Sequence, residues 1–387
     1  MANSSTYRRM KEVPDSSFFL FGARGVGKST WARKHLADAH SVNLLDQRLF
    51  QQLLADPGLF AARLRPLPPR QWVVVDEVQR IPPLLNEVHR SIEEDGRRFA
   101  LLGSSARKLK TAGTNLLAGR ALWTTMYPLA PEELAEAFEL ERTLRWGSIA
   151  LVWQAPNPRA TLETYVQLYL SEEIKAEALV RNLPGFVRFL PVAALFHGQS
   201  INVSAIARDA GVARTTVAGY IEILEDTLLA TRLPAFEGRL RVRERKHPKL
   251  YWIDPGLVRA VKKQLGAVAD EERGALLEGW IFTLLRTYRE ERDLYDDIHY
   301  WAPLQSRRTE VDFLLRRGSE LLALEVKSAA HPSAVRLKGL RAIAEAENLV
   351  RRVLVYGGDQ TLRTEDGIDV WPIDRFLTAL ADGELWP

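Results

Sequence analysis

The stretch FFLFGARGVGKSTWARKHL, residues 18–36, decides the fold of the amino-terminal part of this chain. It contains the spacing GxxxxGK[ST] in full, with Gly22, Gly27, Lys28 and Ser29 at the fixed positions. An apolar run typical of a strand precedes the motif, and a stretch typical of a helix follows it. Glycines at this spacing let backbone N–H groups turn inward around a phosphate, at the positive end of the next helix. The sequence therefore predicts a phosphate-binding loop, and a plain glycine turn is the alternative.

Each side chain of this loop has an expected task. Lys28 is expected to reach the β- and γ-phosphates of a nucleotide, and Ser29 to place its hydroxyl on Mg²⁺. Thr30 is expected to begin packing the helix onto the sheet. The residues predicted to contact the nucleotide are Gly22, Ala23, Arg24, Gly25, Val26, Gly27, Lys28, Ser29 and Thr30.

Two acids follow the next strongly apolar run, WVVVDEVQ at residues 72–79. A carboxylate at the carboxyl end of a parallel strand beside a phosphate loop can hold the shell of Mg²⁺, and a second acid can activate water. We assign the first task to Asp76 and the second, that of general base, to Glu77. The alternative is that both acids only cap the following helix.

The run FALLGSSARKL, residues 99–109, ends in serines where a polar side chain could touch the γ-phosphate or the attacking water. Ser104 is the candidate for that contact, and a helix cap is an equal alternative. Arg107 and Arg120 are candidates for the cation that neutralises charge in the transition state, acting from a neighbouring subunit. A solvated surface arginine is the alternative for each.

The arrangement of strands and helices predicts the fold class of the amino-terminal part. Helix-like stretches such as residues 84–95 separate five apolar or β-branched runs, and this alternation predicts a parallel sheet with helices on both faces. The middle block has helical spacing, and strands return around a helix at about 275–289. The runs that predict strands lie at 16–21, 41–46, 72–75, 99–102 and 121–129, then at 250–253, 298–301, 310–315, 321–326 and 352–356.

Composition excludes several classes of site. The chain of 387 residues has no cysteine, so disulfides, thiolate zinc sites, iron–sulfur clusters and cysteine nucleophiles are excluded. The amino end is polar, and no apolar run approaches the roughly 18 residues that span a bilayer. We therefore expect a cytoplasmic protein without a membrane partner. The formal net charge of +4 allows a polyanionic partner without requiring one.

Four segments together resemble the bacterial and archaeal AAA-type ATPases that carry a carboxyl-terminal domain of unknown function. These segments are GARGVGKST, VVVDEVQ, LLGSSARKL and LAGRALWTTMYPLAPEEL. The resemblance implies ATP and Mg²⁺ as ligands. It also implies a homo-oligomer, with a hexameric ring as one form, because sites of that type usually form between subunits.

The middle block contains the pattern of a helix-turn-helix. INVSAIARDAGVARTTVAGYIEIL, residues 201–224, predicts two short helices joined at Gly211, with Ser204 capping the first. The following segment is expected to form a β wing, and the second helix offers Arg214 to bases. The next stretch, residues 232–249, is rich in arginine and suits DNA phosphates, with a soluble edge ribbon as the alternative. Its cations are Arg232, Arg239, Arg241, Arg243, Arg245, Lys246 and Lys249.

The carboxyl-terminal part repeats acids in an order that resembles the PD-(D/E)XK nuclease motif. Glu278 lies on a predicted helix, Asp312 on a strand, and Glu325 and Lys327 on the next strand across the turn RRGSE. Asp312 and Glu325 are expected to bind Mg²⁺ or Mn²⁺, and Lys327 to position or deprotonate a water. A solvated strand face, or a nuclease fold without nuclease activity, is the alternative.

These observations predict three parts. We expect an AAA-type ATPase domain at 1–140, a helical linker with a winged helix at 141–237, and a restriction-endonuclease-like α/β domain at 238–387. The expected function is Mg²⁺-dependent ATP hydrolysis coupled to acting on DNA without sequence specificity, as a translocase, remodeller or nuclease motor. The alternative is a nucleotide-gated switch that binds a protein and carries a catalytically silent nuclease-like domain.

Overall fold

The computed structural model describes residues 7–111, 117–170, 182–238, 245–304, 309–331 and 337–387. Its first unit is a five-stranded sheet in which every neighbouring pair is parallel, in the order β2-β3-β4-β1-β5. The strands are β1 Phe18–Phe21, β2 His40–Asn43, β3 Trp72–Asp76, β4 Arg98–Gly103 and β5 Leu122–Thr125. The helices are α1 Lys28–His35, α2 Gln47–Ala55, α3 Gly58–Leu64, α4 Leu84–Asp95 and α5 Arg107–Thr111, with a 3₁₀ turn at Val78–Arg80.

The inner positions of the central strands are apolar, because both faces of the sheet are covered there. Phe18 and Leu20 pack into one core, whereas Phe19 and Phe21 pack into another on the opposite face. This is the burial that a parallel sheet between two helical layers requires. The predicted parallel sheet with helices on both faces is therefore confirmed.

Strand order decides which loops meet. β4 lies between β3 and β1, and all three strands run in the same direction. Their carboxyl ends therefore meet at one edge, which brings together the segments that follow Phe21, Val75 and Gly103.

The middle unit is mostly helical and ends in a small antiparallel sheet of order β6-β8-β7. β8 lies beyond residue 237, so the structure carries this sheet past the predicted domain boundary, which itself stays a prediction. The helices are α6 Pro131–Leu134, α7 Leu140–Trp146, α8 Ala150–Trp153, α9 Pro158–Thr164, α10 Leu183–Leu195, α11 Val203–Ala210, α12 Arg214–Asp226 and α13 Pro255–Val261, with a 3₁₀ turn at Ala135–Ala137 and a π-helical turn at Tyr165–Leu170. The strands are β6 Gln199–Ser200, β7 Ala230–Leu233 and β8 Lys249–Trp252.

The carboxyl-terminal unit is a mixed six-stranded sheet of order β13-β14-β12-β11-β10-β9. β10 and β11 form the predicted antiparallel hairpin, whereas β11 and β12 run parallel. The strands are β9 Asp297–Trp301, β10 Val311–Arg317, β11 Glu320–Lys327, β12 Leu349–Tyr356, β13 Leu362–Arg363 and β14 Asp369–Pro372. The helices are α14 Asp270–Arg292, α15 Lys338–Ala342 and α16 Ile373–Ala381.

Candidate functional site

The phosphate loop lies between β1 and α1, as the motif predicts. Gly25 and Gly27 have φ values of +80° and +106°, which only glycine adopts without strain. Lys28 begins α1, and its buried Nζ donates to the carbonyl oxygens of Gly22 at 2.6 Å and Ala23 at 3.3 Å. The loop therefore holds the lysine ammonium against its own backbone.

Residues outside the motif hold this loop from other parts of the chain. The Arg9 guanidinium donates to the Val26 carbonyl at 2.7 Å, and the Tyr165 hydroxyl donates to the Arg24 carbonyl at 2.9 Å. The Leu151 amide, in α8, donates to the Gly25 carbonyl at 3.0 Å. Sequence reasoning missed these residues because no local pattern links them to the loop.

A cavity of about 340 Å³ opens above the loop. That volume falls in the range of small-molecule sites, roughly 300–1,000 Å³. Gly22 and Ala23 are not among the residues that line the cavity, and they contact the site through their carbonyl oxygens, which accept from Lys28. The lining from the predicted site comprises Arg24, Gly25, Val26, Gly27, Lys28, Ser29, Thr30 and Glu77. The other principal contributors are Tyr7, Arg9, Ala150, Leu151 and Gln154.

The two acids after β3 differ in position. Asp76 ends the strand, and its Oδ1 accepts from the Glu77 amide at 3.1 Å. Glu77 has φ of +60°, an uncommon value for a residue with a side chain, and lines the cavity. The carboxylate of Glu77 makes no capping bond to the 3₁₀ turn that follows. The capping alternative therefore finds no support at Glu77.

A hydrogen-bond chain joins the second acid to the next strand. Gln79 Nε2 donates to Glu77 Oε2 at 2.6 Å and to Ser104 Oγ at 3.1 Å. Ser104 is buried and accepts this bond, whereas the neighbouring Ser105 Oγ accepts from the Arg107 amide at the start of α5. Ser105 thus performs the capping that was the alternative for Ser104. Gln79 is a second residue that sequence reasoning missed, although it stands only two positions after Glu77.

The two candidate arginines lie away from the cavity of their own chain. Arg107 pairs with Asp226 in α12 at 2.8 Å, and Arg120 pairs with Glu93 in α4. Neither is among the described residues that line the cavity.

The donor set beside the loop fits a hard divalent cation. Ser29 lines the cavity, and Asp76 lies at the same edge of the sheet. Hydroxyl and carboxylate oxygens are the ligands that Mg²⁺ prefers. Ser29 and Asp76 are therefore the residues that would hold Mg²⁺.

A second cluster of charged residues lies in the carboxyl-terminal unit. Lys327 Nζ is 3.4 Å from Asp312 Oδ2 and 3.0 Å from Glu325 Oε1. Asp312 and Glu325 are both 4% exposed, and burial raises the pKa of the Glu325 carboxyl to about 7. The structure therefore brings these three residues together on one side of the hairpin, as period-two alternation predicts.

The remaining acids of this cluster surround a different lysine. Lys249, in β8, has its Nζ 3.1 Å from Glu278 Oε1, 2.6 Å from Glu310 Oε1 and 3.8 Å from Asp312 Oδ1. The Tyr251 hydroxyl also donates to Glu278. Among the described residues, no group of three or more histidines, cysteines or acids is arranged to hold a metal ion. The expected metal at Asp312 and Glu325 therefore does not fit the cluster while Lys249 stands there.

The helix-turn-helix of the middle unit forms where the sequence predicts it. α11 ends at Gly211 with φ of +63°, and α12 begins at Arg214, which is exposed. The expected cap at Ser204 is wrong, because the side chain of Asn202 accepts from the Ala205 amide instead. β6, β8 and β7 form a small sheet around these helices, and the predicted wing stays a prediction.

The arginine-rich stretch is described only in part. Arg239, Arg241 and Arg243 lie outside the described residues. Arg232 pairs with Glu225, and Lys249 is buried at 2% exposure in the acidic cluster. Lys249 is therefore not one of the surface cations that this stretch offers to phosphates.

Three families match consecutive parts of the chain. Residues 15–135 match a family described as AAA domain, 138–268 match Domain of unknown function (DUF8612), and 273–376 match Domain of unknown function (DUF4143). The chain thus carries an AAA domain followed by these two domains, and an AAA domain implies a nucleotide ligand.

Two curated relatives match over nearly the whole chain. They are Uncharacterized protein Rv2008c of Mycobacterium tuberculosis and Uncharacterized protein Mb2031c of Mycobacterium bovis. Each is 25% identical over 374 residues, which is 95% of this chain and 82% of the relative.

Solved structures match only distantly. The Aeropyrum pernix ORC1 protein in complex with DNA covers 66% of this chain and 87% of its own, at 17% identity and a TM-score of 0.27. Protein VC1899 from Vibrio cholerae covers 95% of this chain and 96% of its own, at 12% identity and a TM-score of 0.22. Among the described residues, none of the helices has the length and apolar character needed to cross a membrane.

Proposed function

We propose that this chain is a Mg²⁺-dependent ATPase whose hydrolysis of ATP is coupled to binding and processing of DNA. The observation that carries the ATPase is the juxtaposition of the phosphate loop with Glu77, which lines the same cavity and is held by Gln79. A loop without a positioned base would only bind nucleotide, and the position of Glu77 beside the loop supports hydrolysis in addition to binding.

The chemistry follows from the positions of the side chains. Lys28 and the loop amides hold the β- and γ-phosphates, and Glu77 accepts a proton from water as its oxygen bonds to the γ-phosphorus. The bond between that phosphorus and the β–γ bridging oxygen breaks, so ADP and phosphate leave. Bound Mg²⁺, held by Ser29 and Asp76, would neutralise phosphate charge. Ser104 orients Glu77 through Gln79.

A homo-oligomer accompanies this function in our proposal. Arg107 and Arg120 are ion-paired elsewhere and do not line the cavity of their own chain, so we expect such a cation for the transition state to come from a neighbouring subunit. Such a contribution is worth roughly 10³ to 10⁵ in turnover in related chemistry.

DNA coupling is supported by the helix-turn-helix and its wing. The start of α12 presents Arg214 and Thr215, both exposed, and an arginine of α11, Arg208, is also exposed. In this motif the second helix enters the major groove by its amino-terminal residues. We expect most of the contact to be with phosphates rather than base edges, because few side chains here can read bases.

The nucleotide site is tested by Lys28→Ala. We expect this variant to lose ATP turnover by at least 100-fold, because the phosphates lose their only lysine from the motif. Arg33→Ala is a matched control, since Arg33 is an exposed cation in the last turn of the same helix. Turnover of Lys28→Ala at the wild-type rate would show that the loop is not the catalytic site.

The coupling is tested by ATP turnover with single-stranded, nicked, forked and linear duplex DNA at two salt concentrations. We expect several-fold stimulation that falls steeply with salt and is weakened in Arg214→Ala. Indifference to every DNA at low salt would contradict the coupling while leaving the ATPase standing.

A second candidate is a nucleotide-gated switch that binds a protein, with a catalytically silent carboxyl-terminal domain. The observation that favours it is the ion-pair network of Lys249 with Glu278 and Glu310, which neutralises the acids of the expected nuclease centre. Indifference of turnover to DNA in the experiment above would favour this candidate.

A further inference from the structure

Arg9 connects the amino-terminal segment to the phosphate loop. Its guanidinium donates to the Val26 carbonyl at 2.7 Å, to the Tyr127 carbonyl at 2.6 Å and to Glu133 Oε1 at 2.8 Å. The side chain is only 9% exposed. Each of the three guanidinium nitrogens therefore donates to a fixed acceptor, in a planar arrangement that an ammonium group cannot reproduce.

The carboxylate of Glu133 fixes this guanidinium in turn. Glu133 Oε1 accepts from Arg9 Nε and from the Met10 amide, both at 2.8 Å, and Oε2 accepts from the Ala130 amide at 3.0 Å. The Glu133 side chain is 2% exposed, so the ion pair is shielded from solvent. A buried pair whose partners are both hydrogen-bonded has one preferred geometry. Arg9 therefore has little freedom to turn away from Val26.

The bond from Arg9 to Val26 determines the direction of the next amide. The peptide bond between Val26 and Gly27 is trans and planar, so its C=O and N–H groups point in opposite directions. Gly27 caps α1 and lines the cavity, and the N–H groups at the start of a helix face a bound anion. A donor that holds the Val26 carbonyl outward therefore keeps the Gly27 N–H turned towards the phosphates.

This peptide group differs from its neighbours in the loop. The Arg24 and Gly25 carbonyls accept from neutral donors, the Tyr165 hydroxyl and the Leu151 amide, whereas the Val26 carbonyl accepts from a cation. A charge-assisted hydrogen bond is roughly twice as strong as a neutral one. The glycine that follows Val26 has φ of +106° and no side chain to restrict rotation. The orientation of this group thus depends on Arg9.

We propose that Arg9 is a positioning residue of the nucleotide site, which holds the Val26 carbonyl so that the Gly27 N–H faces the phosphate chain. Arg9 acts through this peptide group and not through contact with the nucleotide. The inference rests on the proposed nucleotide site, but it depends neither on ATP hydrolysis nor on DNA coupling.

The sequence provides an isolated probe of this peptide group. Of the 24 glycines in the chain, only Gly27 follows a valine. Full-length protein labelled with ¹³C at valine carbonyls and with ¹⁵N at glycine therefore gives a single carbonyl-coupled amide resonance, that of Gly27. The ligand is inorganic tripolyphosphate, which carries a phosphate chain without a base. We expect it to move the Gly27 amide proton of wild type downfield, because the N–H then donates to a charged oxygen.

Arg9→Ala should bind tripolyphosphate about 10-fold more weakly, which is the usual effect of losing a hydrogen bond to a charged group. At saturating tripolyphosphate its Gly27 proton should stay upfield of the wild-type position. KM for ATP should also rise about 10-fold with kcat changed less than about 3-fold, because this amide contact is made in the ground state and in the transition state alike.

The matched control is Arg97→Ala. Arg97 is also a buried arginine that pairs with a carboxylate, Asp95, and donates to two carbonyls, those of Pro68 and Leu67. None of these four residues lines the cavity. This variant should reproduce the wild-type affinity for tripolyphosphate and the wild-type Gly27 resonance.

Removal of Arg9 leaves the buried Glu133 without its cation, so a second variant guards against misfolding. Arg9→Lys keeps a charge for Glu133, but one ammonium cannot also hold two carbonyls. We expect its Gly27 proton to stay upfield of the wild-type position at saturating tripolyphosphate.

Two outcomes would overturn the positioning role. If Arg9→Lys has the wild-type affinity and the wild-type Gly27 resonance, the charge of Arg9 suffices. If Arg9→Ala folds and also matches wild type, Arg9 has no role at the loop. A wild-type Gly27 resonance that tripolyphosphate does not move would instead remove the phosphate site itself, and the proposed ATPase with it.

Discussion

Gln79 connects the acid of the nucleotide cavity to the strand beside the phosphate loop. Its amide nitrogen reaches both Glu77 and Ser104, and the side chain is 3% exposed. Packing also fixes it, because a Cβ at Gly103 would lie 2.6 Å from Gln79 Oε1. A carboxylate held in this way has little freedom to turn, which is what a general base requires.

Gln79→Ala is therefore expected to lower kcat for ATP hydrolysis by roughly 10- to 100-fold, because Glu77 loses the donor that orients it. Affinity for a non-hydrolysable ATP analogue should stay unchanged, since Gln79 lies outside the residues that line the cavity. Steady-state turnover assays measure kcat, and fluorescence titration measures the affinity for the analogue.

The control for this variant is Gln71→Ala, whose side chain donates to the Asp38 carbonyl far from the acids. It should keep wild-type kcat. An equal loss of kcat and of analogue affinity in Gln79→Ala would mean that the glutamine supports the fold of the site rather than the orientation of Glu77.

The sequence predicts the role of a single residue when that role depends on local spacing. Lys28 and Glu77 could be placed because a strand, a turn and a helix fix them relative to the loop. Gln79 and Lys249 could not, because their roles depend on which strands become neighbours. The acids that pair with Lys249 lie 29 to 63 positions away in the chain.

The long helix α14 contains two glycines, of which one has no room for a side chain and the other has room. A Cβ at Gly279 would lie 2.1 Å from His197 Nε2, whereas one at Gly274 would meet only Ser328 Oγ at 3.8 Å. Gly279 is thus a contact point between α14 and the segment before β6, and Gly274 is an ordinary helical position.

We expect Gly279→Ala to destabilise the protein by about 1–3 kcal/mol, because the methyl group displaces a buried imidazole. Gly274→Ala should stabilise it by about 0.5–1 kcal/mol through helix propensity. Denaturant midpoints of the two variants measure the difference. Equal shifts in the same direction would show that His197 does not constrain the helix.

His197 also makes stability depend on pH. Burial lowers the pKa of its imidazole to about 3, with Lys262 adding to the effect, and Nδ1 accepts from the Trp252 amide at 3.1 Å. Below about pH 6.5 the imidazole of His197 therefore binds a proton in the unfolded state but not in the folded state. Stability is fully present above pH 6.5 and declines as pH falls from 6.5 towards 3.

The variant His197→Asn keeps an acceptor for the Trp252 amide and removes the titration. Between pH 7.5 and 5.0 we expect wild type to lose about 2 kcal/mol more unfolding free energy than the variant. Denaturant unfolding at the two pH values measures this difference. Parallel losses in both proteins would assign the acid sensitivity to other groups.

Most helices and strands could be predicted from the sequence, and those that could not have a physical reason. Helix α4 spans Leu84–Asp95, as its apolar spacing predicts. The two-residue strands β6 and β13 are too short to carry a periodic signal, and they form only because a neighbouring strand pairs with them. The same holds for the order of strands, which no stretch of sequence encodes locally.

On the scale of the whole molecule, an ion pair joins the nucleotide-binding unit to the helix-turn-helix. Arg107, which follows Ser104 and Ser105, pairs with Asp226 at the end of α12 at 2.8 Å, and both side chains are partly buried. This ion pair directly connects the segment after β4 with the helix that presents Arg214.

Asp226→Asn is therefore expected to reduce the stimulation of ATP turnover by DNA about 5-fold, within the usual range of coupling between sites. Basal turnover should stay unchanged, because Asp226 is not among the residues that line the cavity. Glu222→Gln, one turn earlier on the exposed face of α12, is the control. An unchanged stimulation in Asp226→Asn would mean that coupling uses another path.

Two carbonyl oxygens of the phosphate loop accept hydrogen bonds from the unit that follows the sheet. The Leu151 amide donates to the Gly25 carbonyl, and the Tyr165 hydroxyl donates to the Arg24 carbonyl. Occupancy of the loop and the placement of that unit are therefore thermodynamically linked. A ligand that moves α8 away from the loop must lower the affinity for nucleotide, and bound nucleotide must lower the affinity for that ligand by the same factor. The rate of nucleotide exchange should therefore depend on where the following unit lies relative to the loop. A proteolytic fragment that ends before residue 150 should bind nucleotide more weakly than the intact chain.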